Sequence, residues 1–157
     1  MKAAVVTISD GCYHGQREDL SGKALSEQLT QQGWSVASRR IVPDDVERIR
    51  AQIIELCDQT LNLVVTTGGT GLGPRDVTPE AIRPLLEKEA EGLAELMRLR
   101  GLEKTDFASL SRSLAGVRKE TLILALPGSP KGATESLEAV IKLLTHTIDL
   151  IEGRTKH

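Results

Sequence analysis

The sequence has few aromatic residues and few cysteines, and it has no long apolar run. The three aromatics, Tyr13, Trp34 and Phe107, are too few for a stacking platform that binds single-stranded nucleic acid. Cys12 and Cys57 form no C-x-x-C motif and have no histidine at ligand spacing, which excludes the common zinc and disulfide patterns. No apolar run approaches the roughly 18 residues of a membrane span. Neither nucleic acid nor a membrane is therefore expected as a partner.

The chain also has no large excess of positive or negative charge. The chain has 20 basic and 22 acidic residues, a net charge of −2, so no overall field attracts it to polyanions. Its 157 residues, 39% hydrophobic and 27% charged, are typical of one globular domain, predicted to span residues 1–157. The apolar stretch at residues 3–6 is too short for a signal peptide, and we expect a soluble, cytoplasmic protein.

Short apolar runs alternate with helical patterns along the chain. The predicted strands are 3–8, 34–42, 61–66 and 121–126. The predicted helices are 20–32, 44–60, a segment that opens at Thr78-Pro79 and is limited by Pro84, then 93–100, 107–114 and 132–152. This alternation predicts an α/β fold with a mostly parallel sheet covered by helices on both faces.

Four polar or glycine-rich loops follow the predicted strands, at residues 9–11, 43–45, 66–77 and 127–132. Parallel strands end at one edge of their sheet, and ligands of such sheets bind beyond that edge. The four loops are therefore expected to form one site.

The third loop lies in the segment TTGGTGLGPRDVTPEA, residues 66–81. Its glycines bring backbone N–H groups toward an anion: Gly68, Gly69, Gly71 and Gly73. Thr67 and Thr70 add hydroxyl donors, and Arg75 adds a guanidinium suited to phosphate. The loop is neither a Walker A nor a Rossmann motif. It predicts a phosphate or nucleotide site, the alternative being a flexible turn between strand and helix.

Three aspartates at these loops have both a structural and a functional interpretation. Asp76 could cap a helix or form an Asx-turn. Thr78 before Pro79 already fits the cap, however, which leaves Asp76 available to meet Mg²⁺, an ammonium group or a substrate donor. Asp44 with Glu47 fits a capping box, so the residues alone favour a structural role for it. Asp10 fits a turn equally well.

The fourth loop lies in the segment LPGSPKGATES, residues 126–136. Pro127 and Pro130 stiffen it, and Ser129 and Lys131 could contact a phosphate or a hydroxyl-bearing ligand. The alternative is a solvated, proline-rich loop. Arg112, placed at helical spacing, could supply another cation to the site, although a surface arginine of a helix is the commoner case.

These segments together resemble the molybdenum-cofactor biosynthesis family that includes the MogA and MoaB proteins. The resemblance covers nearly the whole chain and rests on five motifs: TISD at 7–10, VPDD at 42–45, TTGGTGLGPRDVTPEA at 66–81, LSR at 110–112 and LPGSPKGA at 126–133. One departure is Ala125, where the family commonly has asparagine before Leu-Pro-Gly.

The resemblance implies a three-layer α/β/α fold, a homotrimer and adenylylation of molybdopterin. In that reaction the terminal phosphate of molybdopterin attacks the α-phosphate of Mg-ATP, and pyrophosphate leaves. The adenylylated product would pass to a MoeA-like insertase, a possible partner. Some MoaB proteins are of doubtful activity, so a catalytically silent molybdopterin-binding or assembly protein is the alternative, and a pure scaffold a more distant one.

The resemblance also assigns residues. Asp44 and Asp76 correspond to the two critical aspartates of the family, which makes them the predicted catalytic residues and Mg²⁺ ligands and reverses the structural interpretation of Asp44. Pterin, phosphate and nucleotide would bind to these residues: Ser9, Asp10, Thr67, Gly68, Gly69, Thr70, Gly71, Arg75, Pro127, Gly128, Ser129 and Lys131.

Overall fold

The structure is a computed structural model that describes residues 1–154. The last three residues of the predicted domain, 155–157, lie outside the described residues. Within residues 1–154 the sheet contains six strands: β1 (Lys2–Ile8), β2 (Ser35–Val42), β3 (Leu63–Thr67), β4 (Lys88–Glu89), β5 (Leu114–Arg118) and β6 (Thr121–Leu126). The α-helices are α1 (Asp10–Tyr13), α2 (Leu20–Gln31), α3 (Val46–Cys57), α4 (Thr78–Ile82), α5 (Glu91–Leu102) and α6 (Pro130–Ile151).

Helices cover both faces of this sheet. Alternate strand residues point to opposite faces, so Val5 and Val65 join a core with α2, α5 and α6, whereas Val6 and Val64 join a core with α3 and α4. The two cores confirm the predicted three-layer α/β/α arrangement. None of the helices in the described part of the chain combines the length and apolar character that crossing a membrane requires.

The strand order is β2-β1-β3-β6-β5-β4, and β2, β1, β3 and β6 run parallel. In register, Ile8 pairs with Val42, Thr7 with Thr67, and Thr67 with Leu126. The four strands therefore end at the same level. This confirms the prediction that the four loops open at one edge of the sheet.

The other edge of the sheet differs from the prediction. The helix predicted at 107–114 is wrong, because the chain there forms a short 3₁₀ helix, Asp106–Leu110, and then enters β5. Strand β5 runs antiparallel to β6, and β4, which was not predicted, pairs antiparallel with β5. Burial of Leu114, Ala115 and Gly116 in the sheet outweighs their weak preference for a strand.

Two predicted helix caps are also wrong. Asp45, not Asp44, is the N-cap of α3, and its side chain accepts a hydrogen bond from the backbone N–H of Arg48. Thr78 does not cap α4, since it is the first helical residue and its hydroxyl donates to the carbonyl of Gly68. Pro84 limits α4 as predicted, because a 3₁₀ helix, Arg83–Leu85, replaces the α-helix at that point.

Candidate functional site

Glycines are required where β3 ends. Gly68 and Gly69 have φ angles of 107° and 66°, which residues with a Cβ rarely adopt. A Cβ on Gly68 would collide with the carbonyl of Ile8 at the end of β1. The N–H of Gly68 donates to the carbonyl of Leu126, 3.1 Å away, which ties the loop to β6. The loop is thus fixed against two neighbouring strands.

Beyond Gly68, the carbonyls of Gly69, Thr70 and Gly71 accept hydrogen bonds, but four consecutive N–H groups donate none. Thr78 N–H donates to Gly69 O at 3.0 Å, and Arg112 N–H donates to Thr70 O at 2.8 Å. The N–H groups of residues 69–72 donate to no described residue. Consecutive unpaired N–H groups form the kind of concavity that binds anions. The geometry supports the phosphate site predicted here, which stays a prediction.

Asp44 and Asp10 form a reciprocal pair between the loops after β2 and β1. Oδ2 of Asp44 accepts from the backbone N–H of Asp10 at 2.8 Å, and Oδ1 of Asp10 accepts from the N–H of Asp44 at 3.0 Å. Burial raises the pKa of Asp44, and the charges of Asp10 and Asp76 act in the same direction. Asp45 caps the helix, whereas Asp44 bonds to Asp10 and lines the larger cavity described below.

Arg75 lies over this pair. Its Nη2 is 2.9 Å from Oδ2 of Asp10, and this hydrogen bond lowers the pKa of the Asp10 carboxyl. The Arg75 side chain is 69% exposed and lines neither of the cavities described below. In this structure the predicted phosphate cation therefore neutralises Asp10.

Asp76 is folded into its own loop. Its Oδ2 accepts from the N–H of Gly73 at 2.8 Å. A Cβ on Gly71 or Gly73 would lie only 2.7 or 2.8 Å from that oxygen, so both glycines make room for the carboxylate. No described residue donates to Oδ1 of Asp76, which leaves that oxygen for a ligand.

Arg112 approaches the loop between β3 and α4, residues 68–77 (the glycine loop), from another part of the chain. Its Nε donates to Gly71 O and its Nη2 to Asp76 O, both at 2.8 Å, and its Nη1 pairs with Glu80. The prediction that Arg112 lies at helical spacing is wrong. It lies after the 3₁₀ helix, and carbonyls and a carboxylate take up its donors.

The loop after β6 packs against the glycine loop. The hydroxyl of Thr67 donates to Pro127 O at 2.7 Å, and a Cβ on Gly128 would lie 3.2 Å from the Cα of Gly68. Ser129 is the N-cap of α6, where its Oγ accepts from Gly132 N–H at 3.1 Å. Lys131 is exposed and lines neither cavity.

Two cavities, of about 380 and 540 Å³, meet at these loops. Gly69, Asp76, Gly128 and Ser129 line both. The smaller cavity has an apolar wall from α5 and the 3₁₀ helix after it: Met97, Phe107, Ala108 and Leu110. The larger cavity is lined by the site residues Ser9, Asp44, Thr67 and Gly68. The smaller, more apolar cavity and the larger, more polar cavity thus share one wall, which consists of loop backbone and the carboxylate of Asp76.

Sequence reasoning missed one arginine in each cavity. Arg98 lines the smaller cavity, and its Nη1 donates to Ser113 O at 2.8 Å. Arg17 lines the larger one, and its guanidinium lies against Gly11, where a Cβ would be 2.7 Å from Nε. Neither arginine belongs to a glycine-rich segment, so no signal in the sequence marked them.

A resident metal centre is not what these residues form. Within residues 1–154 no group of three or more His, Cys, Asp or Glu side chains is arranged to hold a metal. Magnesium, however, is often bound through one or two carboxylates together with waters and substrate phosphates. Asp44 and Asp76 both line the larger cavity, close to the unpaired N–H groups. This donor set fits a magnesium ion that is held jointly with a phosphate ligand.

Comparisons with known proteins identify related sequences and structures. The sequence profile of the family described as "Probable molybdopterin binding domain" matches residues 4–146. A Helicobacter pylori (strain J99) protein named molybdopterin adenylyltransferase is 43% identical over 152 residues, 95% of this chain and 86% of its own. The molybdenum cofactor biosynthesis protein B of Escherichia coli is 36% identical over 89% of this chain and 82% of its own. The crystal structure of the molybdopterin biosynthesis enzyme MoaB from Thermus thermophilus superposes with a TM-score of 0.92, at 50% identity, over 97% of this chain and 96% of that one.

Proposed function

The chain belongs to the family of molybdopterin binding domains, and from that premise we propose that it is a molybdopterin adenylyltransferase of molybdenum cofactor biosynthesis. A phosphate oxygen of molybdopterin attacks the α-phosphorus of ATP. The bond between that phosphorus and the oxygen leading to the β-phosphate breaks, so adenylyl-molybdopterin forms and pyrophosphate leaves.

The observation that carries this proposal is the shared wall between the two cavities. A transfer between two phosphate-bearing substrates requires that their phosphates meet at one place. Gly69 and Asp76 line both cavities, and the unpaired N–H groups of residues 69–72 lie in the same loop. Phosphoryl transfer needs mainly positioning and neutralisation of charge, which such a wall supplies without a nucleophilic side chain.

The aspartates have distinct parts in this proposal. Asp44 and Asp76 would hold Mg²⁺, which supplies neutralisation of phosphate charge when it is bound. The reciprocal bonds with Asp10 fix the orientation of the Asp44 carboxylate. Gly73 does the same for Asp76. Both carboxylates are thus oriented before a ligand arrives, which lowers the cost of binding it.

A direct assay tests the proposal. The purified chain is incubated with molybdopterin, ATP and magnesium, and both adenylyl-molybdopterin and pyrophosphate are measured. We expect equal amounts of the two products. Binding of molybdopterin without either product would refute the proposed reaction and favour the catalytically silent binding protein. Omitting magnesium, or replacing ATP by a nonhydrolysable α,β-methylene analogue, supplies the controls.

We further propose that the protein acts as a homotrimer. Large apolar side chains are exposed on α5 and on the 3₁₀ helix that follows: Leu99, Leu102, Phe107 and Leu110. Phe107 is 78% exposed, and association of chains would remove such side chains from water. Transfer of the product to a MoeA-like insertase belongs to the same proposal.

A further inference from the structure

Arg112 is the residue of this site that is bonded to the glycine loop at the most points. Its backbone N–H and its guanidinium together reach three loop carbonyls, those of Thr70, Gly71 and Asp76, each at 2.8 Å. It comes from the chain before β5, so the contact is long-range and does not follow from the loop's own sequence. Arg112 lines neither cavity and therefore lies behind the loop as seen from the ligand space.

We propose that Arg112 is a positioning residue, which orients the glycine loop so that its N–H groups and Asp76 face the phosphate of the ligand. This inference rests on the proposed function for the identity of the reaction, but the phosphate binding it concerns can be measured separately.

The geometry of the peptide bond provides the first step. All described peptide bonds are trans, and in a trans peptide the C=O and the following N–H point in opposite directions. Because Thr70 O and Gly71 O point toward Arg112, the N–H groups of Gly71 and Leu72 point away from it. These N–H groups are among the four that donate to no described residue. By binding the carbonyls, Arg112 directs the donors to the other side of the loop.

The second step concerns Asp76. Its carbonyl is bonded to Nη2 of Arg112, while its carboxylate is bonded to Gly73 N–H. Gly71 and Asp76, five residues apart, are therefore held by two nitrogens of one rigid, planar group. If either residue moves relative to the other, one of the two hydrogen bonds to Arg112 breaks. The N–H groups of the glycine loop and the carboxylate of Asp76 therefore keep a fixed separation.

The charge of Arg112 is balanced by a carboxylate beside it. Its Nη1 pairs with Glu80 on α4, and this contact lowers the pKa of Glu80. The ion pair neutralises the guanidinium, so attraction of a distant phosphate is not its main effect. The contribution of Arg112 is the planar arrangement of its donors, which reaches two carbonyls at once. Lysine donates from one nitrogen on a flexible chain and cannot bridge the same two carbonyls in a fixed geometry.

The test compares Arg112→Lys with two matched variants in the full-length chain. Arg50→Lys removes another guanidinium that bridges carbonyls, those of Ala81 and Glu80 at 3.2 and 3.0 Å, away from the glycine loop. Glu80→Gln removes the ion pair but leaves Arg112. Inorganic pyrophosphate is the probe, and its binding is followed by calorimetry and by the NMR shifts of the amides of residues 69–72.

In the wild type, in Arg50→Lys and in Glu80→Gln, we expect pyrophosphate to shift these amides. In Arg112→Lys we expect affinity at least about tenfold weaker and altered amide positions before the probe is added. Loss of positioning by about 1 Å costs on the order of 10² in rate. We therefore expect kcat of Arg112→Lys to fall by about that factor, with a smaller change in KM for ATP.

Unchanged amide shifts, affinity and kcat in Arg112→Lys would overturn the proposal, as would an equal loss in Arg50→Lys. If Arg112→Lys does not fold, Arg112→Gln replaces it, and weaker binding with native circular dichroism supports the proposal whereas wild-type binding overturns it. If the wild type binds pyrophosphate but makes no adenylyl-molybdopterin, the proposed function fails and the binding comparison still decides the role of Arg112.

Discussion

Asp44 and Asp45 are neighbours in the sequence, but they have different roles in the structure. Asp45 caps α3 through its bond from Arg48 N–H at 2.9 Å. Asp44 turns toward Asp10 and the larger cavity. Substitutions at the two positions should therefore separate stability from catalysis within one dipeptide.

Asp45→Ala removes the cap, which costs about 0.5–2 kcal/mol. In a chain of this size 1 kcal/mol corresponds to about 2–4 °C in Tm, so we expect Tm to fall by about 1–8 °C with the adenylylation rate retained. Asp44→Asn keeps an oxygen that accepts from Asp10 N–H but removes the charge. By analogy with the loss of an oxyanion-hole donor, its rate should fall by about 10²–10³.

Asp45→Ala should lower the stability, whereas Asp44→Asn should leave it unchanged or raise it at neutral pH. The pKa of Asp44 is raised in the folded chain above the value of about 3.9 for an unperturbed aspartate. Between those two pKa values the folded state binds more protons than the unfolded state, so the wild type loses stability as the pH rises through that window. Asp44→Asn avoids this loss, and its Tm should match the wild type in acid and equal or exceed it at neutral pH.

Thermal melts from acid to neutral pH, together with the adenylylation assay, measure both effects. Three results would contradict the reasoning: a wild-type rate in Asp44→Asn, a large loss of rate in Asp45→Ala, or a Tm of Asp44→Asn below the wild type at neutral pH. The first would make Asp44 a structural residue.

Three other predictions concern the loop and the assembly. Gly69→Val places a Cβ against the hydroxyl of Thr78 at a positive φ, so pyrophosphate and molybdopterin binding should be lost. Gly92→Ala is the control, because outside the backbone of its own helix a Cβ there would contact nothing within 4 Å. Asp76→Asn retains an acceptor for Gly73 N–H, so we expect a nearly unchanged Tm and adenylylation at least about a hundredfold slower. Sedimentation should give three times the 17.0 kDa chain mass, and a constant single-chain mass would refute the trimer.

The parallel part of the sheet could be predicted because its strands have strong local signals. Val64 and Val65 in β3 and Ile123 in β6 belong to short apolar, β-branched or aliphatic runs that are buried on both faces. Gly68 follows β3 directly, and Pro127 follows β6 directly. These turn residues indicated where the loops begin. Because the carboxyl ends of parallel strands meet at one edge of the sheet, the loops could be predicted to lie together.

The antiparallel edge could not be predicted in this way. The hairpin between β5 and β6 turns at Lys119, which has a φ of 53° without being glycine or asparagine. The sequence therefore lacks the usual signal of a tight turn. Strand β4, Lys88–Glu89, is two residues long and exposed, and only its pairing with Val117 and Gly116 identifies it.

The sequence also could not decide which arginine contacts the carbonyls of the glycine loop. Arg75 lies within the loop, yet its guanidinium reaches Asp10, 65 residues away, while Arg112 reaches back 41 residues to Gly71. A guanidinium bonds to whichever acceptors tertiary packing brings within about 3 Å, and separation along the chain has no bearing on that. Because Asp10 neutralises Arg75 and Glu80 neutralises Arg112, the donors left for an anion in the described loop are its backbone N–H groups and the hydroxyl of Thr70, which lines the smaller cavity. Backbone donors are present in every sequence, so only the conformation that exposes them, held here by two positive-φ glycines and by Arg112, can make them a site.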